Sequence, residues 1–229
     1  MIKNYFKTAW RNLLANKTFS LINIFGLALG MTCSIVILLW VNDELNKNRF
    51  HKNDKYLYRV MENQYYDGNI STFESTPGIL AENIVKEIPE IVMASQFLWE
   101  TDLVFTVGDK FDKEKGRFVQ KDYLKMFSYK LAKGDPKTAL ERQDAVVISK
   151  KLADKYFKGV DPIGKIIRIG KTENVTVMGV LDDVPEESAL KFDYLMNYYL
   201  WWKDNNWAHE EKHSINSCSH LCRWRNESG

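Results

Sequence analysis

The residues from Phe19 to Val41 form an apolar stretch of 23 residues without a charged side chain. At about 1.5 Å per helical residue it would extend roughly 34 Å, enough to cross a hydrocarbon core of about 30 Å. A cleaved signal sequence has a shorter apolar region, about 7 to 15 residues, that ends at small residues. Because this stretch is longer and ends in Leu38-Leu39-Trp40-Val41, the pattern predicts a transmembrane helix over 19–41.

Residues 1–18, which precede this stretch, have the spacing of an amphipathic helix. Lys3, Lys7 and Arg11 recur every four residues, and Trp10 lies with the apolar side chains on the other side. A basic face with an aromatic anchor is typical of a helix that lies on an anionic membrane leaflet. We therefore predict a membrane-surface helix whose partner is the lipid bilayer.

The charges that flank the apolar stretch predict its orientation. All the charged residues that precede it are basic, and Asp43 and Glu44 follow it closely. Since Lys and Arg near a span remain on the cytoplasmic side, we expect a cytoplasmic amino terminus and an extracytoplasmic main domain.

Small side chains recur every four residues within the apolar stretch, at Gly26, Gly30 and Ser34. A face of small residues lets a second helix approach closely, and such packing drives helix association in lipid. Glycine is also common in membrane helices in general. The pattern is thus consistent with a helix-packing face and does not require one.

Beyond residue 42 the pattern changes to short strands alternating with short helices. Tyr56 begins an aromatic strand, Asp67-Gly68-Asn69 predicts a hairpin turn, and Thr76-Pro77 is expected to open a helix that ends at Pro89. Ser149 is a predicted N-cap for a helix over 150–157. The other predicted strands cover residues 91–99, 103–107, 116–119, 145–148, 165–169 and 175–181. This alternation predicts a mixed α/β or α+β domain over residues 42–197.

Composition narrows the functional classes. The 229 residues carry a net charge of only +2, which gives no reason to expect nucleic acid as a partner. Gly164-Lys165 is followed by Ile166, so the Ser or Thr that a phosphate-binding loop needs at this position is missing. His51, near Asp54, is expected to lie in a solvated loop after the membrane helix. We find no catalytic constellation, and we expect neither an enzyme nor a cofactor.

Several segments in fixed order resemble one family. They are KTAWRNLLANKTFSLINIFGLALG at the start, RFHKNDKYLYRV after the apolar stretch, GRFVQKDYLKMF, VVISKKLADKYFKGVDPIGKIIRIG and VTVMGVLDDVPEESALKFDYL. Together they resemble the MacB/FtsX-type ABC transporter permeases, over the first transmembrane helix and the periplasmic core domain. The segment around Asp161, Pro162 and Gly164 is the most specific part, and we interpret it as a fold-setting turn because Pro fixes φ and Gly permits a turn conformation.

The resemblance implies a mechanical role. In such a system a cytoplasmic ABC ATPase subunit drives helix movements that pass to the periplasmic domain, in order to export or extract a substrate. It also implies other permease transmembrane helices or a second permease copy as partners, and a location in the cell inner membrane. An alternative from another class is a single-span anchored sensor or ligand-binding module.

The chain departs from the family after about Asn197. Residues 198–229 form a divergent tail, for which disorder is one interpretation, and a truncated or frame-altered permease is the preferred explanation of the single span. The tail contains ligand types that zinc takes, at His209, His213, Cys218 and Cys222. Because their spacing is not a strong zinc pattern, we expect no metal site and keep these four residues as weak candidates.

Overall fold

The computed structural model describes residues 2–182, 184–186, 188–205 and 216–224, the last range by its backbone. The chain divides into two compact units, residues 1–47 and residues 48–229. The first unit contains two helices and the second contains an α+β domain, which confirms the predicted fold class.

The first unit consists of α1 (Ile2–Ala15) and α2 (Lys17–Asn46). They are separated at Asn16, whose φ of −116° and ψ of 57° leave the helical region. No residue of α2 is buried, and α2 is long and apolar enough to cross a membrane, judged by length and composition. It extends five residues beyond Val41, through residues 42–46, which the sequence pattern places in the following domain.

The second unit begins with a short 3₁₀ helix, Asp54–Tyr56. Its α-helices are α3 (Leu80–Glu87), α4 (Tyr123–Met126), α5 (Lys150–Phe157) and α6 (Tyr198–Asp204). Its strands are β1 (Leu57–Val60), β2 (Glu62–Tyr66), β3 (Asn69–Phe73), β4 (Thr76–Pro77), β5 (Ile91–Phe97), β6 (Thr101–Val107), β7 (Lys110–Val119), β8 (Leu131–Lys133), β9 (Ala145–Ser149), β10 (Ile166–Ile169), β11 (Glu173–Leu181), β12 (Tyr194–Asn197) and β13 (Asn216–Trp224).

Eleven of the described strands form one mixed sheet, in the order β1-β13-β5-β7-β12-β9-β11-β10-β6, with β4 beside β13 and β8 beside β11. The two parallel pairs are β12 with β7 and β9 with β11. Because β6 also pairs with β7, the six strands β7, β12, β9, β11, β10 and β6 close a ring. A closed ring removes the exposed strand edges that an open sheet presents.

The strands of the ring supply most of the core. Strand β9 is buried along its whole length, as expected for a strand with neighbours on both sides and helices on its faces. Helix α5 packs Leu152, Tyr156 and Phe157 into this core. It begins as predicted, with the Ser149 hydroxyl accepting a hydrogen bond from the Leu152 N–H at 3.3 Å.

Two sequence expectations need correction. Thr76 and Pro77 do not open a helix, because they pair with β13 as strand β4, and the helix begins only at Leu80.

The domain also continues past Asn197. Helix α6 packs Tyr198, Trp201 and Trp202 against the core, and β13 lies between β1 and β5. These described parts of residues 198–229 are therefore elements of the fold, with apolar or strand-pairing contacts that oppose disorder.

Strands β2 and β3 form a separate hairpin outside the main sheet. The predicted turn is present, with Asp67 at φ 50° and Gly68 at φ 79°, the two positive values that a tight two-residue hairpin turn requires. Tyr65 and Tyr66 are each 80% exposed. The hairpin therefore projects aromatic side chains into solvent.

A buried carboxylate joins α5 to β7. Glu114 lies within the core, with a side chain only 5% exposed. Its Oε1 accepts hydrogen bonds from the Lys155 ammonium and the Tyr156 hydroxyl, each at 2.6 Å. Burial raises the pKa of Tyr156, so this phenol stays protonated and remains a donor.

Replacing Lys155 by Met should destabilise the protein by about 1–2 kcal/mol, because a buried carboxylate loses its cationic donor. Lys151→Met is the matched control, since Lys151 is on the same helix with a side chain 71% exposed and meets Asp193 at 3.2 Å. Urea denaturation of the full chain in detergent measures both variants. Equal stability of the two would contradict a structural role for the Glu114 contact.

Candidate functional site

The segment that leads from α2 into the domain is docked onto the domain core. Asn48 Oδ1 accepts a hydrogen bond from the Ala189 N–H at 3.0 Å, and the Lys52 N–H donates to the Ser128 hydroxyl at 2.9 Å. Asn48 has a φ of 62°, a conformation that asparagine tolerates better than most residues. We call residues 48–56 the connector.

His51 lies at the centre of the connector contacts. It is 3% exposed, and its Nδ1 accepts a hydrogen bond from the Ser128 N–H at 3.2 Å. Its ring centre lies 3.9 Å from that of Phe50, 4.8 Å from that of Phe127 and 5.1 Å from that of Tyr129. The expectation that His51 lies in a solvated loop is therefore wrong, because three aromatic rings exclude water from it.

Burial lowers the pKa of His51 to about 4, and the nearby Asp54 carboxylate opposes this shift only in part. The imidazole is therefore neutral at pH 7, as it must be if Nδ1 is to accept the Ser128 N–H. This neutral ring fixes the connector on the loop that follows α4.

The contacts around the connector continue into the domain. The Tyr129 hydroxyl lies 3.1 Å from Ser188 Oγ, which donates to the Leu190 carbonyl at 2.9 Å. Phe50 and Leu57 pack against a cluster of buried core residues that includes Tyr123, Phe127 and Leu195. A displacement of the connector would thus disturb the core directly, without a flexible linker between the two.

The sequence reasoning missed this site. The signal was present in Phe50-His51, two ring-bearing side chains within the otherwise polar run 46–55. A polar segment of that kind is typical of a solvated loop. The partners Ser128 and Tyr129 are 77 and 78 residues further along the chain, and no local pattern connects them to His51.

The membrane-related candidates all lie in the first unit. Lys3, Lys7, Trp10 and Arg11 are on α1, and the last three are exposed. Gly26 and Gly30 are on α2, and a Cβ added at either would meet nothing within 4 Å. The Ser34 hydroxyl donates to the Gly30 carbonyl at 2.9 Å, so it is satisfied within its own helix.

The candidate turn residues lie between α5 and β10. Asp161 Oδ1 accepts from the Ile163 N–H at 3.3 Å and from Lys133 Nζ at 3.0 Å. Gly164 has a φ of 76°, and its N–H donates to the Val177 carbonyl at 2.8 Å. The turn is thus hydrogen-bonded to β8 and β11, the arrangement expected of a turn with a structural role.

The weak metal candidates are only partly within the described residues. His209 and His213 fall outside them, and Cys218 and Cys222 are four positions apart on β13. Within the described residues no group of three or more His, Cys, Asp or Glu side chains is placed to hold a metal ion. The expectation that the tail holds no metal site, with these four residues as weak candidates, stays an untested prediction.

The fold and the docked connector define a class of protein, an α+β domain that follows directly on a candidate membrane helix. Residues 20–212 match the model of the MacB-like periplasmic core domain. The chain belongs to that family. The match extends 15 residues past Asn197, where we expected the resemblance to end. No curated protein matches the chain.

Solved structures share the fold. A permease-protein domain from Porphyromonas gingivalis has a TM-score of 0.65 at 22% identity, covering 78% of this chain and 77% of that one. The periplasmic region of MacB from Actinobacillus actinomycetemcomitans has a TM-score of 0.54 at 14% identity, covering 80% and 78%. The extracellular domain of the ABC-type transporter YknZ from Gram-positive bacteria has a TM-score of 0.50 at 15% identity, covering 75% and 83%.

Proposed function

We propose that the chain is a permease component of an ABC transporter of the MacB/FtsX type. Its extracytoplasmic domain would couple ATP hydrolysis by a cytoplasmic partner to the export or extraction of a substrate. In this proposal α2 lies in the inner membrane, the amino terminus is cytoplasmic and residues 48–229 are periplasmic. The basic residues Lys3, Lys7 and Arg11, which precede α2, support that orientation.

The observation that carries the proposal is the docked connector. Coupling across a membrane needs a continuous physical connection between the moving helix and the domain that does the work. Asn46 ends α2, and Asn48 is already hydrogen-bonded to Ala189 in the domain, so a single residue separates the two. A sensor that only needed tethering would function equally well on a long flexible linker.

Co-expression with an ABC ATPase encoded by a neighbouring gene tests this function. We expect the ATPase to co-purify with the tagged full chain in detergent. We also expect the complex to hydrolyse ATP, and an ATPase variant that lacks its phosphate-binding-loop lysine to lose this activity. Inserting six Gly/Ser residues between Lys47 and Asn48 should leave co-purification intact while reducing transport. An ATPase that reaches the membrane equally well without the chain would contradict the proposal.

The Gly26-Gly30-Ser34 face is proposed to pack against other permease helices or a second permease copy. Gly30→Leu should lower co-purification of a second, differently tagged copy by about five-fold, because a bulky side chain separates the helix backbones. Met31→Leu is the control, since it alters the next position and keeps the helix apolar. Equal recovery of the second copy with both variants would show that helix packing does not depend on this face.

The sensor alternative makes a different prediction for the domain. A small ligand that raises the melting temperature of the full chain in detergent, in the absence of any ATPase, would favour it.

A further inference from the structure

A notch lies at the elbow between α1 and α2. The backbone leaves the helical conformation at Asn16, and Ser20 is among the residues that line the notch. The notch has a volume of about 400 Å³. Its walls are mainly the apolar side chains Trp10, Leu14, Leu21, Ile24 and Phe25, and Lys17 lies among them.

The walls of the notch are arranged along the two helices. Trp10 and Leu14 are four residues apart on α1, and Leu21 and Phe25 are four residues apart on α2, so each pair shares a face. These side chains are between 52% and 69% exposed, so apolar surface of the notch stays uncovered within the first unit. A slender apolar group could cover both pairs at once.

Lys17 gives the notch a charged group where the two helices meet. It is the first residue of α2, and Phe25 lies eight residues later, roughly 12 Å further along the helix axis. Lys3, Lys7, Arg11 and Lys17 are the charged residues of positions 1–42, a segment without any acidic residue. The chemistry of the notch is therefore cationic at the junction of the helices and apolar along both of them.

We propose that this notch binds one phospholipid with an anionic headgroup. The phosphate contacts Lys17, and one acyl chain lies along Leu21, Ile24 and Phe25 against Trp10 and Leu14. The indole of Trp10 suits this depth, because tryptophan favours the boundary between headgroups and acyl chains. The proposal depends on α2 entering the membrane and is independent of the ATPase partner.

Two independent features favour an anionic phospholipid over other occupants. The uninterrupted positive charge of residues 1–42 matches an anionic headgroup and disfavours a cationic peptide. The notch also begins where the apolar stretch begins, which is where an acyl chain leaves its headgroup. A partner helix on the same face would make no use of Lys17.

The test reconstitutes the full chain in vesicles of phosphatidylcholine and phosphatidylglycerol, then releases it for native mass spectrometry. We expect one retained phosphatidylglycerol per chain and preference for it over phosphatidylcholine. Lys17→Gln should reduce retention about five-fold, the effect of losing one lysine near a membrane surface. Lys7→Gln is the matched control, since it removes the same charge from α1 outside the notch.

A second pair of variants tests the acyl-chain position. Ser20→Phe adds a ring to the lining of the notch and should abolish retention, whereas Ser34→Phe, further along α2, should leave it unchanged. Carbonate extraction establishes that each variant remains in the membrane. A wild-type chain that carbonate removes would overturn the membrane assignment itself. If the chain stays in the membrane, two results would overturn the lipid site and leave the membrane assignment intact. One is an equal loss of retention in Lys7→Gln and Lys17→Gln, and the other is equal retention of both lipids.

Discussion

Acidification from pH 7 to pH 4 should destabilise the wild-type chain by about 3 kcal/mol through His51 alone. The imidazole titrates near 6.5 in the unfolded chain, and burial lowers its pKa to about 4 in the folded protein. Below pH 6.5 the unfolded chain therefore gains a proton that the folded chain resists. The stabilisation is fully present above pH 6.5 and is lost as the pH falls toward 4.

Two variants isolate this contribution from that of the carboxylates. His51→Asn keeps an acceptor near the position of Nδ1 for the Ser128 N–H, and His51→Phe keeps a ring against Phe127 and Tyr129. Both should be less stable than the wild type at pH 7, and both should lose less stability on acidification. Chemical denaturation of the full chain in detergent at the two pH values measures the difference. Parallel losses in all three proteins would show that His51 is not the titrating group.

Gly116→Ala should destabilise the protein by about 3 kcal/mol and lower its melting temperature by roughly 10 °C. A Cβ at this position would lie 2.3 Å from the carbonyl oxygen of Tyr194 and 2.5 Å from its ring. Tyr194 has little freedom to move. It is completely buried, its hydroxyl donates to the Thr101 carbonyl at 2.7 Å, and its ring centre lies 4.9 Å from that of Phe105.

Gly78→Ala is the matched control for Gly116→Ala. Its added Cβ would meet a ring carbon of Trp202 at 3.2 Å, so a displacement of a few tenths of an ångström by this partly buried side chain would relieve the contact. We expect a cost below about 1 kcal/mol for this variant. Thermal unfolding followed by near-ultraviolet circular dichroism compares the two. Similar melting temperatures would mean that β7 and β12 can separate slightly at little cost.

Local patterns in the sequence predicted the elements whose signals are local. Ser149 marked the start of α5, Asp67-Gly68 marked the hairpin turn, and the uncharged run marked α2. Each of these depends on residues within a few positions of one another, where capping, turn conformation and helix length act. The fold class and the family followed from the order of such segments.

The contacts that hold the connector and that join β7 to β12 are made between residues far apart in the sequence. His51 reaches Ser128 across 77 residues, and Gly116 lies against Tyr194 because of a parallel strand pairing that no pattern specifies. Thr76-Pro77 resembles a helix start in sequence, yet pairing with β13 prevails over that local preference. Strand β13 was not predicted for the same reason, because the strands that pair with it, β1, β4 and β5, lie far earlier in the chain.

The closed ring of six strands has a mechanical consequence. Each ring strand has a hydrogen-bonded neighbour on both sides, whereas β1 is at the outer end of the strand order beside β13. A pulling load that enters through Asn48 would first strain the connector and β1, and would release at most roughly 45 Å of chain before reaching the next strands. Below the load that detaches these segments, their contacts would pass a displacement to the ring as one unit, because every ring strand is hydrogen-bonded on both sides.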